Sequence, residues 1–263
     1  MPLNVVVIVK QVIDPETKVS ALRLDLENHT VSSPSNAPPV VNGFDDQAVE
    51  AALRLKDGQG AHVTVISAGS AFTMAVIKKP ISMGCDEMVL LQDSMFENMD
   101  SFGTAQVLAA AIKKIGDFDL ILGGRQASDW DNAQTPLGLA EFLGIPCITM
   151  AKKVDVTDSK VIVERVIPDG HEVIEASLPS LVIVSNELGQ PRFPTITNTM
   201  AAVRKIPKVW TAEDLEISIS GKQVRIMDLF VPVIEKDCEF IEGENEEDVG
   251  RKLALTLREA KLI

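Results

Sequence analysis

Tyrosine is absent from this chain of 263 residues, tryptophan occurs twice, and aromatic residues make up 4%. A protein that holds single-stranded nucleic acid by stacking bases on aromatic rings has little to work with here. Positive charge is also in deficit. Lys and Arg number 25 against 38 Asp and Glu, a net charge of −13, whereas phosphate backbones call for the opposite balance. Nucleic acid is therefore excluded as a main partner. Cys85, Cys147 and Cys238 stand far apart, without metal-ligand spacing, and three thiols cannot form a closed disulfide set. That is the pattern of reduced thiols in a cytoplasmic setting. No run approaches roughly 18 uninterrupted apolar residues, so no membrane span is expected. The opening run Met1-Pro-Leu-Asn-Val-Val-Val-Ile-Val-Lys is short and has no basic region ahead of its apolar part. It reads as a buried first strand, not as a signal peptide. His29, His62 and His171 are isolated, no serine sits in a nucleophile elbow, and neither Gly-x-Gly-x-x-Gly nor a Walker sequence occurs. No catalytic residue and no metal ligand is assigned.

What is present is ordinary globular composition, 46% hydrophobic and 24% charged. The length allows one large domain or a domain with a sizeable arm. As far as about residue 150, short β-branched runs alternate with helical patterns. The expected strands are Leu3–Val9, His62–Ser67, Glu87–Leu91, Asp119–Leu122 and the short Cys147–Met150. Between them stand the expected helices Asp45–Leu55, Ala71–Met83 (with Pro80 implying a break or kink), Ser101–Ile115 capped by Ser101, and Ala133–Leu143. Strands that are nearly continuous Val, Ile and Leu need cover on both faces, which makes an α/β, doubly wound, mostly parallel sheet.

Beyond Met150 the pattern changes. Lys160–Ile167 and Glu172–Ala176 flank Pro168-Asp169-Gly170 as a β-hairpin, and Leu181–Val184 is another buried strand. Residues Asn186–Ile234 carry four prolines and no long periodic segment. They read as an extended arm that needs a surface to lie on. Glu244–Lys261 is a terminal helix with Asn245 as its cap. The expected division is an α/β nucleotide-binding domain over 1–185 and a partner-wrapping arm with the terminal helix over 186–263.

In doubly wound sheets ligands sit beyond the carboxyl ends of the strands, so the loops Lys10–Pro15, Ala68–Ser70 and Gly123–Gln134 are the places to look. The segment Gly-Gly-Arg-Gln-Ala-Ser-Asp-Trp-Asp-Asn-Ala-Gln-Thr, residues 123–135, is the most informative. Its glycines permit close backbone approach, Asp129 and Asp131 offer acceptors to a ribose, and Gln134 and Thr135 open a helix whose free N–H groups favour phosphate. The plain alternative is a polar loop in which Asp or Asn caps a helix. Likewise Asn42 or Asp45, opening Asp45–Leu55, could serve only as an N-cap.

Four blocks, taken together, resemble the beta subunit of electron transfer flavoproteins over nearly the whole chain. They are Val9-Lys-Gln-Val-Ile-Asp14, Asn42-Gly-Phe-Asp-Asp-Gln-Ala-Val-Glu-Ala-Ala-Leu-Arg-Leu-Lys56, Gly124-Arg-Gln-Ala-Ser-Asp-Trp-Asp-Asn-Ala-Gln-Thr135, and Val163-Glu-Arg-Val166 through Leu178-Pro-Ser-Leu-Val-Ile-Val184. The resemblance implies a heterodimer with an alpha subunit that carries an electron-transferring FAD. It also implies service between acceptors and a flavin-dependent dehydrogenase such as an acyl-CoA dehydrogenase. The family's nucleotide contacts fall here on Ile8, Asn42, Phe44, Asp45, Ala68, Gly124, Arg125, Gln126, Asp129, Asp131, Ala133, Gln134 and Thr135, to which Lys10 of the first loop is added. In ordinary members the nucleotide is AMP. In electron-bifurcating members it is a second FAD that takes hydride from NADH. Arg125, Ala133-Gln134 and the stretch around Trp210 resemble the bifurcating branch. Trp130 and Pro136 stand where glycine is usual, and Gly43 where proline is. The segment Gln190–Arg204, with Ile196 at its apolar tip, corresponds to the part that docks on dehydrogenases; an ordinary loop packed on the alpha subunit is the alternative. A stand-alone nucleotide-binding module of the stress-protein type is the rival from another class.

Overall fold

Four apolar side chains in a row, Val5 to Ile8, give a strand no solvent face, so the chain must cover it from both sides. The computed structural model, which describes residues 2–218, 222–231 and 238–263, shows how. Strand β1 (Asn4–Ile8) leads into an excursion with four short strands, β2 (Gln11–Val12), β3 (Arg23–Asp25), β4 (Thr30–Ser32) and β5 (Val40–Val41). Then come α1 (Gly43–Gln59), β6 (His62–Gly69), α2 (Met74–Ile77), α3 (Lys79–Met83), β7 (Glu87–Gln92), α4 (Ser101–Ile115), β8 (Leu120–Gly124) and α5 (Thr135–Leu143). The remainder is β9 (Cys147–Thr157), β10 (Lys160–Ile167), β11 (Gly170–Ser177), β12 (Ser180–Val184), α6 (Ile196–Arg204), β13 (Lys208–Trp210) and α7 (Glu246–Glu259).

Nine strands form one sheet in the order β11-β10-β9-β12-β8-β1-β6-β7-β13. From β9 to β13 every neighbour is parallel, while β10 and β11 extend one edge antiparallel. Alternate residues of each strand serve opposite layers. Val5, Val7, Val63 and Val65 pack under α1 and α3, and Val6, Ile8, Ile66 and Ile121 pack under α4 and α5. Chain order runs β1, β6, β7 toward one edge and then returns to place β8 on the other side of β1. The switch point of the fold is therefore between β1 and β8. The doubly wound α/β reading and the hairpin hold.

The elements differ from expectation at specific places. Helix α4 is capped by Asp100, whose carboxylate accepts from Gly103 N at 2.8 Å, and not by Ser101, which is already helical. The expected helix over 71–83 is two short ones. Lys78 ends the first, and Pro80 sits in the opening turn of the second, where its missing N–H costs nothing. Strand β9 is 11 residues long, not four. Its first part runs parallel to β12 and its second antiparallel to β10, with Met150 at φ 59 near the register shift. Helix α5 begins at Thr135, two residues later than expected, and Gly123 and Gly124 belong to β8 itself.

The arm over 186–234 is the largest correction; residues 219–221 and 232–234 of it lie outside the described residues. It carries the nine-residue α6, capped by Thr195, which accepts from Asn198 N at 3.1 Å. It also supplies β13, which adds to β7 at the sheet edge. Part of the arm thus lies on its own domain, where Ala202, Ala212 and Leu215 are buried. Ile196, Met200 and Val203 do stand at helical spacing, but over only nine residues between Pro194 and Pro207, too short for a long periodic segment, and their shared face points to solvent. The chain divides into two compact units, Met1–Leu229 and Phe230–Ile263. In the second, α7 begins as expected, with the Asn245 side chain accepting from Asp248 N at 2.9 Å.

Asp100 does more than cap. Its second oxygen accepts from Gln223 N at 2.6 Å and Val224 N at 3.0 Å, holding a distant segment beside α4. Partial burial raises this carboxyl, but the N–H groups of Gly103, Gln223, Val224 and Phe102 outweigh it and hold it below its ordinary range. Replacing Asp100 with Ala should lower stability by about 1–2 kcal/mol at neutral pH. Since the native carboxylate holds its proton less tightly than the unfolded one, the loss should shrink as pH falls through and below about 4. Urea midpoints of both proteins at pH 7 and pH 3.5 test this.

Candidate functional site

At the switch point, the carboxyl ends of β1 and β8 and the amino end of α1 meet closely enough that no side chain fits between them at one position. A Cβ on Gly124 would lie 2.4 Å from Asp45 Oδ1 and 2.5 Å from the Phe44 carbonyl carbon. One on Gly123 would lie 2.8 Å from Ile8 Cδ1. Gly124 is thus needed first for helix–strand approach, while a Cβ on Gly123 would meet only the Ile8 side chain of the neighbouring strand.

This approach sets the loops. Asn42 stands at the N-cap position of α1, is 1% exposed, and makes no side-chain cap bond. Its amide instead donates to the Gln126 carbonyl at 2.8 Å and accepts from Ser128 N at 3.2 Å. The capping alternative therefore fails for Asn42. Lys10 N donates to Asp45 Oδ2 at 2.7 Å, and Lys10 Nζ pairs with both oxygens of Asp129 at 2.7 and 2.8 Å. Gln126 Nε2 donates to Asp131 Oδ1 at 2.8 Å, and Arg125 Nε donates to Gln126 Oε1 at 3.0 Å. The Arg125 guanidinium lies 5.3 Å from the centre of the Phe44 ring. Ile8, Lys10, Asn42, Phe44, Asp45, Gly124, Arg125, Gln126, Asp129 and Asp131 form one connected group. Asp129 and Asp131, expected as ribose acceptors, engage Lys10 and Gln126 in this structure. Ala68, next to last in β6, lies on the far side of β1 beside Leu91, without a polar link to the group among the described residues.

Ala133, Gln134 and Thr135 form the lip on the α5 side. Asp131 and Ala133 take left-handed φ of 51° and 53°, turning the chain into the helix. No side chain caps α5, and Pro136 in its first turn removes one donor that an anion could use. Trp130, 46% exposed, stands on the loop between the paired aspartates. The sequence reading passed over two residues here. Ser128 Oγ is buried without a hydrogen-bond partner among the described residues, and its place in the 123–135 block was the available signal. Glu187, after β12, is held below the usual carboxylate range by the Ser185 hydroxyl and the nearby Arg125 charge; nothing local marks it.

Burial pushes the Asp45 carboxyl up to about 7, against the Lys10 N–H and the Asn42 amide, which draw it down, with the neighbouring Asp46 adding to the rise. Burial raises Asp46 as well, offset by Lys79. At the opposite, amino rim of the sheet, cavities of about 370 and 310 Å³ open beside Leu3, Gln59 and Asp119 and beside His62, Lys114 and Trp210. They lie on the wrong end of the strands for a doubly wound sheet, and the carboxyl rim carries the converging polar groups. Among the described residues no group of three His, Cys, Asp or Glu side chains is placed to hold a metal, and no helix is long and apolar enough to cross a membrane.

Fold and site thus define a doubly wound α/β chain with a connected polar group of loops at its switch point. A family model described as "Electron transfer flavoprotein domain" matches residues 33–215. Relatives include the electron transfer flavoprotein subunit beta of Thermoanaerobacterium thermosaccharolyticum, 35% identical over 94% of this chain and 95% of the relative. That of Clostridium acetobutylicum is 39% identical over 82% and 81%. The caffeyl-CoA reductase-Etf complex subunit CarD of Acetobacterium woodii is 33% identical over 99% and 100%. The chain belongs to the electron transfer flavoprotein family, among its beta subunits.

Two measurements probe this geometry. Gly124→Ala forces backbone apart and should destabilise by more than about 2 kcal/mol, whereas Gly43→Ala, with nothing within 4 Å of the new Cβ, should be close to neutral. A similar denaturation midpoint for the two variants would contradict the close approach. Asp45, whose native pKa lies above the unfolded value, holds its proton more tightly when folded. Its contribution makes stability fall as pH rises from about 4 to about 7. Asp45→Asn should flatten the stability profile across that window.

Proposed function

We propose that this chain is the beta subunit of a heterodimeric electron carrier, paired with an alpha subunit bearing FAD. Its own switch-point cleft binds an adenine nucleotide, and the reading favoured is a second FAD that takes hydride from NADH. The observation that carries this reading is the Ser128 hydroxyl, buried without a hydrogen-bond partner among the described residues, in the same loop group as an uncapped α5 start and the Lys10–Asp129 and Asn42–Gln126 ties. These residues fit a ligand rich in phosphate and hydroxyl groups. Backbone N–H groups at the α5 start and the Gln134 and Thr135 side chains would hold phosphate. Asn42, Lys10 and Asp45 keep the loop in place for it. A bound flavin would supply two-electron acceptance from a nicotinamide. Arg125 supplies a fixed cation at the cleft, which favours a ligand that gains negative charge.

Support for the flavin branch comes from a near full-length likeness to a subunit whose own name places it in a caffeyl-CoA reductase complex. A second reading, AMP as a structural ligand, has Trp130 and Pro136 in its favour. The indole stands half-exposed on the loop between Asp129 and Asp131, where it would take space a flavin ring needs, and the proline removes a donor. Flavin content of the purified heterodimer discriminates. Two FAD per heterodimer and reduction by NADH fit the first reading; one FAD with one AMP and no reduction by NADH overturns it in favour of the second. A colourless monomer that hydrolyses ATP would overturn both and point to a stand-alone nucleotide-binding module. In the heterodimer, Thr135→Glu should expel the cleft nucleotide by setting carboxylate against phosphate, while Arg125→Ala should keep it and slow its reduction.

Docking is the other half of the role, and we place it at α6. Ile196 is 83% exposed and shares its helix face with Met200 and Val203, flanked by Phe193 and Ile206. Arg204 and Lys205 stand at the end of this apolar face in an acidic chain. The partner is a flavin-dependent dehydrogenase such as an acyl-CoA dehydrogenase, met in the cytoplasm. An exposed apolar anchor of this kind is a hot spot when buried by a partner. Ile196→Ala should raise the apparent KM for the dehydrogenase without altering flavin content. An unchanged KM would remove α6 as the docking site.

A further inference from the structure

Helix α6 is itself mostly exposed, and beyond its C-terminal end the chain is anchored by β13, which adds to β7. Ala202 is the helix's only buried residue, and α3 packs against it, with Lys78 Nζ donating to the Val203 carbonyl at 3.2 Å. The chain entering α6 is fastened more firmly, and to a different element. Glu50, on the third turn of α1, is 6% exposed. It accepts from Arg192 Nε at 2.8 Å, from Arg192 Nη2 at 3.3 Å, from the Arg192 backbone N–H at 3.1 Å and from Arg54 Nε at 3.0 Å. Arg192 also meets Asp57 at 2.8 Å, and Arg54 Nη1 donates to the Leu188 carbonyl at 3.2 Å. A buried carboxylate with a forked guanidinium fixes direction as well as distance. Arg192 stands four residues before Ile196, so its placement sets the line along which α6 leaves the domain.

We propose that Glu50 is a positioning residue for partner docking: through Arg192 it aims α6, so that Ile196, Met200 and Val203 present one face to the dehydrogenase. This rests on the docking reading of α6 given above. Glu50 is buried in α1 and cannot itself be part of a docking surface, so any effect of its replacement on docking must pass through the residues it holds. Asn42 and Asp45, at the start of the same 17-residue helix, hold the cleft loop. The Glu50 contact lies about 12 Å beyond Asn42 along the axis, at ~1.5 Å per residue.

The test uses the full heterodimer with its alpha subunit, with an acyl-CoA dehydrogenase reduced by its acyl-CoA as the electron donor. Glu50→Gln keeps the shape and removes the charge. The expected result is an apparent KM for the dehydrogenase raised about tenfold, kcat within about twofold, unchanged nucleotide content, and faster amide exchange across 196–204. Arg192→Lys, which keeps a cation but loses the fork, should show a smaller rise. A KM unchanged by Glu50→Gln but raised by Ile196→Ala would overturn the positioning role and leave the docking reading standing. A KM unchanged in both would overturn the docking reading and the positioning role with it. A raised KM accompanied by comparable losses of kcat and of bound nucleotide would mark Glu50 as a general stabiliser and overturn the proposal. Should Glu50→Gln fail to assemble, Arg192→Ala, on a side chain one-third exposed, is read against the same outcomes.

Discussion

The closeness of α1 to the end of β8 is the constraint on which the rest of the structure depends. Helix and strand meet backbone to backbone at Gly124, and that contact fixes the height of the first turn of α1 over the sheet. From there Asn42 reaches the 126–128 loop with both ends of its amide, Asp45 reaches the Lys10 N–H, and Phe44 lies beneath Arg125. Loops from β1 and β8, far apart in the chain, become a single surface only because this helix start stands between them. A wider spacing would let water and side chains into the gap, and the cleft would lose its floor.

The same helix carries three buried carboxylates, and each is compensated differently. Asp45 has backbone and amide donors but no cation, and burial raises it. Asp46 has Lys79 at 2.5 Å on α3, and Glu50 has Arg54 and Arg192. Solvent-exposed pairs such as Lys153–Asp155 on β9 contribute little by comparison. The buried ones matter because removing a single partner strands a desolvated charge. Their distribution ties α1 to the cleft at its start, to α3 through its first turn, and to the approach to α6 further along. One helix therefore ties together the switch-point loops, α3 and the chain that leads into α6.

Much of this was legible before any coordinates. Strands such as Val5–Ile8 and Leu120–Leu122 reveal themselves because burial on both faces leaves no room for polar residues. The rule that ligands gather at strand carboxyl ends then pointed to the loops Lys10–Pro15, Ala68–Ser70 and 123–134. Where the reading failed, the reason is physical. Asp100 and Ser101 are both competent caps, and only the path of the chain decided which carbonyl and which N–H came into range. Helix α6 has an apolar stripe without a core behind it in this chain. Strand β9 changes partner halfway, from parallel to antiparallel, and no local period marks such a change. That Asp129 pairs with Lys10 is equally unmarked, because the partner stands in the loop of a distant strand. Glu187 comes near Arg125 only because β12 and β8 are adjacent.

The amino-acid sequence by itself determined the periodicities, hence which segments are doubly buried strands, which are amphipathic helices, and which loops fall on the carboxyl rim. Those are short-range properties, set by the alternation of side chains along a strand and around a helix. Only the tertiary structure decided that Lys10 meets Asp129 across 119 positions and that Arg192 meets Glu50 across 142. Contacts of that span carry a loop-closure and ordering cost that no single ion pair offsets. They exist because the packing of the whole sheet has already brought their elements together.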